Sequence, residues 1–419
     1  MRAAPERRGV VWAWALYDWA NSAFATVVMA GLFPILFQDY WSADVDAARA
    51  NLRLGWANGL ASAVIVVLAP LAGAMADRAG RRKQALLGFA LPAAGLTMAL
   101  AWVPAGDSVL AATLFSLAVI GFMAANLFYD ALLVGIAPPA RWHAISGLGF
   151  GVGYLGGGLV YLACVLAILH PAMPGFASAT EAALGAFIVT GLWWTVFALP
   201  LAFQVPEPPR EGGGAAGLAG GLRQLRATLS HLRAYRPVWL FLLAYFLYID
   251  GVGTTIRMAV AYGRSLGFAQ TDLMLALLIT QFVGFPAALL MGRVGERLGA
   301  RRGILMGLAL YIGIALWGAF IQAAWEFYAI AALVGVAQGG VQALSRSFYA
   351  GLIPAERAGE FFGFYNVLGK SAALIGPPLF GALGVWLGDV RYSMIALVAF
   401  FLGGGLILSR IRSKEDAPR

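Results

Sequence analysis

Twelve stretches of this chain are apolar for 18 or more residues, and that limits its fold more than anything else in the sequence. They cover approximately residues 12–37, 53–76, 84–105, 108–137, 144–170, 182–205, 237–262, 271–294, 303–322, 325–353, 360–387 and 390–410. Each is long enough as a helix to cross roughly 30 Å of hydrocarbon. A spanning helix satisfies its own backbone hydrogen bonds, which lipid cannot do for it. The chain is 61% apolar and only 12% charged, with a mean hydropathy of +0.79, far from a soluble globular composition. An all-α membrane protein follows. The first stretch contains Ala23-Phe24-Ala25, which resembles a signal-peptide cleavage site. Asp18 and Asn21 interrupt any such apolar core, so we expect this segment to remain as a span.

The net charge of +9 describes topology rather than a nucleic-acid partner. Of the 29 Lys and Arg, 22 lie in the tails or in alternate loops at about 77–83, 138–143, 206–236, 293–302 and 354–359. The other loops carry Asp39, Asp44, Asp46, Asp107, Glu181, Asp272, Glu326 and Asp389 instead. By the positive-inside rule both termini face the cytoplasm, and an even number of spans agrees in putting them on one side. The expected location is a bacterial plasma membrane, with the lipid bilayer as constant partner, and a monomer is expected.

A basic stretch occurs twice, each time at the end of an apolar span. It reads GAMADRAGRRK from Gly73 to Lys83 and GRVGERLGARR from Gly292 to Arg302, 219 residues apart. A repeat of that length implies two similar halves. A second echo pairs Ile136–Arg141 with Leu352–Arg357. The longest polar break, 206–236, opens with proline and glycine as a flexible linker. It ends in an Arg-rich segment that can form an amphipathic helix on an anionic membrane face. The domains expected are therefore 1–205, a linker at 206–236, and 237–419.

Asp18, Asp130, Asp250, Arg257, Arg346 and Lys370 lie inside spans. At the bilayer centre each costs about 2.5–3.5 kcal/mol, so about 15–20 kcal/mol together as an upper limit. Asp250 and Lys370 are deepest. Span 5 runs GLGFGVGYLGGG from Gly147 to Gly158. Without a preceding strand its glycines are no dinucleotide motif, and Gly149, Gly153 and Gly157 are spaced for close helix packing. Gly369-Lys370-Ser371 lacks the first glycine of a phosphate loop, so ATP hydrolysis finds no support. Three histidines and one cysteine, Cys164, offer no metal-ligand spacing, and no cofactor is expected. Trp12, Trp14, Trp41 and Trp325 at span ends read as an interfacial belt.

The doubled basic stretch resembles the loop between helices 2 and 3 of the major facilitator superfamily and its weaker echo between helices 8 and 9. Trp14–Thr26 (WALYDWANSAFAT) is similar to the opening signature of the vacuole-effluxer-like branch. Asp250-Gly251-Val252, Gln342–Ser347, Glu360–Tyr365, Lys370 and Gly376-Pro377 continue the likeness over both halves. The resemblance implies twelve transmembrane helices in two pseudo-symmetric six-helix bundles, with spans 1, 4, 7 and 10 lining a path. It implies a secondary active transporter of a small polar solute, a neutral amino acid leading, and the acids inside the spans make a proton the expected coupled partner. Fungal members of the branch are associated with releasing amino acids from the vacuole, whereas the short linker here looks bacterial. A drug or metabolite exporter is the alternative; a membrane-embedded enzyme or a lipid scramblase is more distant. Candidates for the substrate and proton path are Asp18, Asn21, Asp250 and Lys370. Candidates for gating are Asp77, Arg78, Arg81, Asp130, Glu296 and Arg346. The resemblance places Asp77 at the start of helix 11, near Gly359, and Glu296 at the start of helix 5, near Ala144.

Overall fold

The computed structural model describes residues 7–43, 47–208, 218–230, 235–371, 376–387 and 391–411. Its helices are α1 (Arg8–Trp41), α2 (Ala47–Ala79), α3 (Arg82–Ala99), α4 (Ser108–Ile136), α5 (Trp142–Leu169) and α6 (Ala179–Gln204). A linker helix (Leu218–Ser230) follows. Then come α7 (Arg236–Ser265), α8 (Gln270–Leu298), α9 (Ala300–Gly318), α10 (Ala324–Leu352), α11a (Ala358–Ser371), α11b (Gly376–Leu387) and α12 (Arg391–Ser409). Among the described residues ten helices are long and apolar enough to cross a membrane. The remaining two expected spans fall on α2 and on α11a with α11b.

The acidic residues of one set of loops have a local task. Asp107 accepts the Leu110 N–H at the start of α4, and Ser178 accepts the Glu181 N–H at the start of α6. Glu181 reaches back to the Ala177 N–H, as Asp272 does to Ala269 and Glu326 to Ala323. These carboxylates satisfy orphan amides and oppose the positive helix end. Acidic loops thus mark the end of the bundle where α4, α6, α8 and α10 begin.

At the opposite, basic end both copies of the repeat turn on a left-handed glycine, Gly80 at φ 64° and Gly299 at φ 86°. A side chain is strained there, which explains the glycine in each copy. Glu207 accepts the Lys83 and Gln84 N–H groups and so caps α3, while Lys83 Nζ donates to the Ala202 carbonyl at the end of α6. Thr228 is buried, and Gln224 donates to Glu360. The linker helix therefore commits one face to the ends of α2 and α11a rather than wholly to a membrane surface. The Pro-Gly part of the linker from 209 to 217 lies outside the described residues.

Helix α1 departs from expectation by widening to π-helical turns at Phe24–Leu32 and Phe37–Trp41. Pro34 lacks an N–H and its ring crowds the carbonyl one turn back, so regular hydrogen bonding cannot continue through it. Trp12 and Trp325 are exposed, as a belt requires, but the belt reading fails for Trp14 and Trp41, which are fully buried. Each indole N–H of the buried pair has a partner, Trp14 on the Tyr129 carbonyl and Trp41 on the Val103 carbonyl. Those bonds make burial affordable and turn both rings into packing elements.

Candidate functional site

The glycine ridge of α5 has two working faces. On one, a Cβ at Gly147 would stand 2.6 Å from the Ala288 carbonyl oxygen and 3.0 Å from Gly292, so α5 and α8 meet almost backbone to backbone. On the other, a Cβ at Gly149 would stand 3.0 Å from Arg346 Nη2, and one at Gly153 would stand 3.1 Å from Asp18 Oδ1. The second face gives room to charged side chains, not only to a neighbouring helix.

Arg346 is 1% exposed and fills that room. From α10 its Nη1 lies 3.2 Å from Asp130 Oδ1 on α4 and 3.6 Å from Asp18 Oδ2 on α1. Its Nε and Nη2 donate to the hydroxyl and carbonyl of Ser146 on α5, both at 2.9 Å. Three rings enclose the guanidinium, with centroids 4.2 Å (Phe150), 4.9 Å (Trp14) and 5.2 Å (Tyr129) from its central carbon. A planar, weakly hydrated cation suits such a cage. Asn366 on α11a donates to Asp130 Oδ2 at 3.0 Å. Asp18 is held more loosely, by Ser22 and Tyr129 hydroxyls that each donate at 3.3 Å. Asn21 does not join this cluster, since its amide donates to Asn126 Oδ1 at 2.7 Å.

Closer to the basic end, Asp77 accepts the Gly359 N–H at 3.0 Å and the Glu360 N–H at 2.9 Å, at the first turn of α11a. The arginine it pairs with is Arg82, at 2.6 Å, and neither Arg78 nor Arg81. The turn at Gly80 reverses the chain and brings the first residue of α3 beneath Asp77, leaving Arg81 exposed. Arg82 also donates to the Ala355 and Glu356 carbonyls. The repeat is less exact in the second half. Glu296 lies 3.6 Å from Arg141 Nε, just before α5, and meets that side chain where Asp77 meets backbone amides.

Between the two levels, Ser146 donates to the Ala343 carbonyl at 2.7 Å and His143 Nδ1 lies 2.8 Å from the Ser347 hydroxyl. Deeper, Tyr154 bonds Gln342 and Gln281 bonds Thr26. All of these contacts join residues before 206 to residues after 236, so the basic-loop end of the bundle is shut.

Asp250 lies fully buried on α7, where both carboxylate oxygens take the N–H of Gly376, at 3.1 and 3.0 Å, at the start of α11b. The backbone of Lys370 belongs to α11a and that of Arg257 to α7, but both side chains lie outside the described residues. Sequence reasoning named Asp18, Asp130 and Arg346 and missed Ser146, Phe150, Asn366 and Arg82. Among the described residues no group of three or more His, Cys, Asp or Glu is placed to hold a metal.

Comparison with known proteins gives the family and the fold. The family described as "Vacuole effluxer Atg22 like" matches residues 55–417. An uncharacterized MFS-type transporter of Bacillus subtilis, YxiO, is 34% identical over 398 residues, 94% of this chain and 93% of that protein. Autophagy-related protein 22-2 of Aspergillus clavatus is 28% identical over 286 residues, 62% of this chain, and the match spans 46% of the fungal protein's length. In fold, the chain is similar to the proton:xylose symporter XylE (TM-score 0.76, 15% identity, 97% of this chain and 96% of that one). It is also similar to the human organic anion transporter MFSD10 (TM-score 0.74, 16% identity, 97% and 100%). With its doubled basic repeat, its α1 signature and this match over most of its length, the chain belongs to the vacuole effluxer Atg22-like family of major facilitator transporters.

Proposed function

We propose that this protein is a secondary active transporter that moves a small polar solute, a neutral amino acid first among candidates, by alternating access coupled to a proton. The observation that carries the reading is the buried trio of Arg346, Asp130 and Asp18. One guanidinium faces two carboxylates contributed by the other half of the chain, and Asp18 is the one held at longer distance. A proton on Asp18 balances the charge of the trio. The loss of that proton leaves an uncompensated charge in a dry seam, which favours opening and hydration. Proton transfer and the opening of one end are then the same event.

The positive-inside count places the shut, basic end in the cytoplasm, with both termini and the 206–236 linker. Gating falls to Asp77 with Arg82, to Asp130 with Arg346, and to Glu296 with Arg141. Solute recognition falls to Asp250 on α7 and Lys370 on α11a, an acid and a base that suit the two charges of a zwitterion. The effluxer named in the family's description fits export, and the solute release associated with fungal members is the source of the amino-acid assignment.

The test is uptake into proteoliposomes under an imposed proton gradient, with labelled neutral amino acids as solutes. Accumulation that follows the gradient, and that Asp18→Asn uncouples while exchange of solute persists, is the expected result. Gradient-driven accumulation that is undiminished in Asp18→Asn overturns the coupling role of the trio.

A further inference from the structure

A cleft of about 530 Å3 opens at the basic end of the bundle, where α1, α5 and α8 come together. Four guanidiniums line it: Arg8 at the start of α1, Arg141 before α5, and Arg293 and Arg297 in the final turns of α8. Glu296 is the one carboxylate in the lining, 3.6 Å from Arg141 at its edge. The cleft thus carries an excess of three positive charges. Its remaining walls are apolar, with Val11 and Ile145 buried and Leu148 and Leu289 half-buried. Trp12, 51% exposed, stands at the rim.

A helix C-terminus favours nearby cations, and a basic loop satisfies the topology rule, so either effect accounts for arginine in this region. Neither accounts for four of them converging from α1, α8 and the turn before α5, in both halves, upon one concave space with apolar walls. Guanidinium forks match phosphate oxygens. A tryptophan at the rim marks headgroup depth. Leu148 and Leu289, half-buried in the wall, offer apolar surface to an acyl chain. Basic pockets between membrane helices on the cytoplasmic side are suited to anionic lipid headgroups.

The geometry points to a binding site for one anionic phospholipid, its phosphate among Arg8, Arg293 and Arg297 and an acyl chain along Leu148 and Leu289. The walls belong to α1 and α5 on one side and to α8 on the other. A lipid seated there bridges the seam, and a ligand that binds one state better shifts the population toward it. Anionic lipid therefore favours the state in which the basic end is shut. This goes beyond the transport reading and is independent of the solute.

Native mass spectrometry of the detergent-solubilised full chain, titrated with phosphatidylglycerol, measures the site directly. The Arg293→Gln, Arg297→Gln double variant should bind about thirtyfold more weakly, near 1 kcal/mol for each arginine. Arg8→Gln, on a different helix, should weaken binding about fivefold and carries the test if the double variant does not fold. Arg302→Gln, exposed at the same end but outside the cleft, should bind as the wild type does. Equal loss in Arg302→Gln, or no loss in Arg8→Gln, overturns the site in favour of diffuse surface attraction. Inorganic phosphate is the second probe: competition at the lipid's own concentration would identify a free-phosphate site and overturn the lipid assignment. In nanodiscs, a cysteine placed at Ala358 should react more slowly with added phosphatidylglycerol than in phosphatidylcholine alone. Identical rates overturn the effect on the seam.

Discussion

Asp77→Asn isolates the bond between α2 and the start of α11a. The aspartate accepts two backbone N–H groups across the seam, at 3.0 and 2.9 Å, with its side chain 2% exposed. Its pairing with Arg82 lies within one half and can survive opening, so of the contacts Asp77 itself makes only the two bonds to α11a distinguish shut from open. Hydrogen bonds to a charged acceptor contribute about 1.5–3 kcal/mol each. Asparagine keeps one, at neutral strength, and turns an N–H donor toward the other amide. A net loss of about 3 kcal/mol from the shut state follows, or about a hundredfold in the shut-to-open ratio. The assay is the rate of thiol labelling at Ala358→Cys, buried beside Gly359, in a Cys164→Ala background. When opening and closing are fast, the rate follows the open population and should rise up to about a hundredfold. A rate within threefold of the parent would refute the reasoning.

Arg346→Met leaves two buried carboxylates without their guanidinium and should destabilise the fold by about 3–5 kcal/mol, read as a lowered thermal midpoint; an unchanged midpoint counts against the cluster as described. Gly153→Ala puts a Cβ 2.7 Å from Ser22 Oγ and 3.1 Å from Asp18 Oδ1, so overpacking of about 1–3 kcal/mol should lower the same midpoint, whereas Gly95→Ala, with open space around it, should not. Reporter fusions after Gly213 and at the C-terminus should both give a cytoplasmic signal; a periplasmic signal from either reverses the orientation. Asp250→Asn combined with Lys370→Met should give a folded protein without transport, and full transport in that double variant removes both residues from solute recognition.

Charge in an apolar span is costly wherever it sits, which is why Asp18, Asp130 and Arg346 stand out in the sequence without any knowledge of their neighbours. Depth counted along each span puts Asp130 and Arg346 near the same end, and the doubled basic stretch gives the frame in which they approach. The partners were not visible in this way. Asn366 and Ser146 are ordinary polar residues in their spans, and only the helix crossing brings them to Asp130 and Arg346. Trp14 has the composition and position of an interfacial ring, and its burial depends on Tyr129 stacking 4.4 Å away on another helix. Arg82 is one of three arginines in its loop, and the choice among them rests on the backbone turn at Gly80. The glycines of α5 are legible as a close-packing ridge, but not the fact that one face of that ridge holds side chains.

The placement of these charges makes the stability of the shut end conditional. Arg346 donates from α10, while Ser146, Asp130 and Asp18 come from α5, α4 and α1, so none of those four contacts lies within one half. Separation of the halves at this end would strand each group unless water entered, and a buried charge without a partner costs several kcal/mol. The seam therefore has two satisfactory arrangements, dry with the pairs made or wet with each group hydrated, and the partly open forms between them are penalised. Gly147 lets the backbones of α5 and α8 meet across the seam, and Gly149 and Gly153 leave room for Arg346 and Asp18, so the dry arrangement is tight. In the coupling proposed for Asp18, one proton alters the balance between the two arrangements directly, since it removes the charge that Arg346 holds least closely. A shut state built from apolar packing alone would have no such dependence.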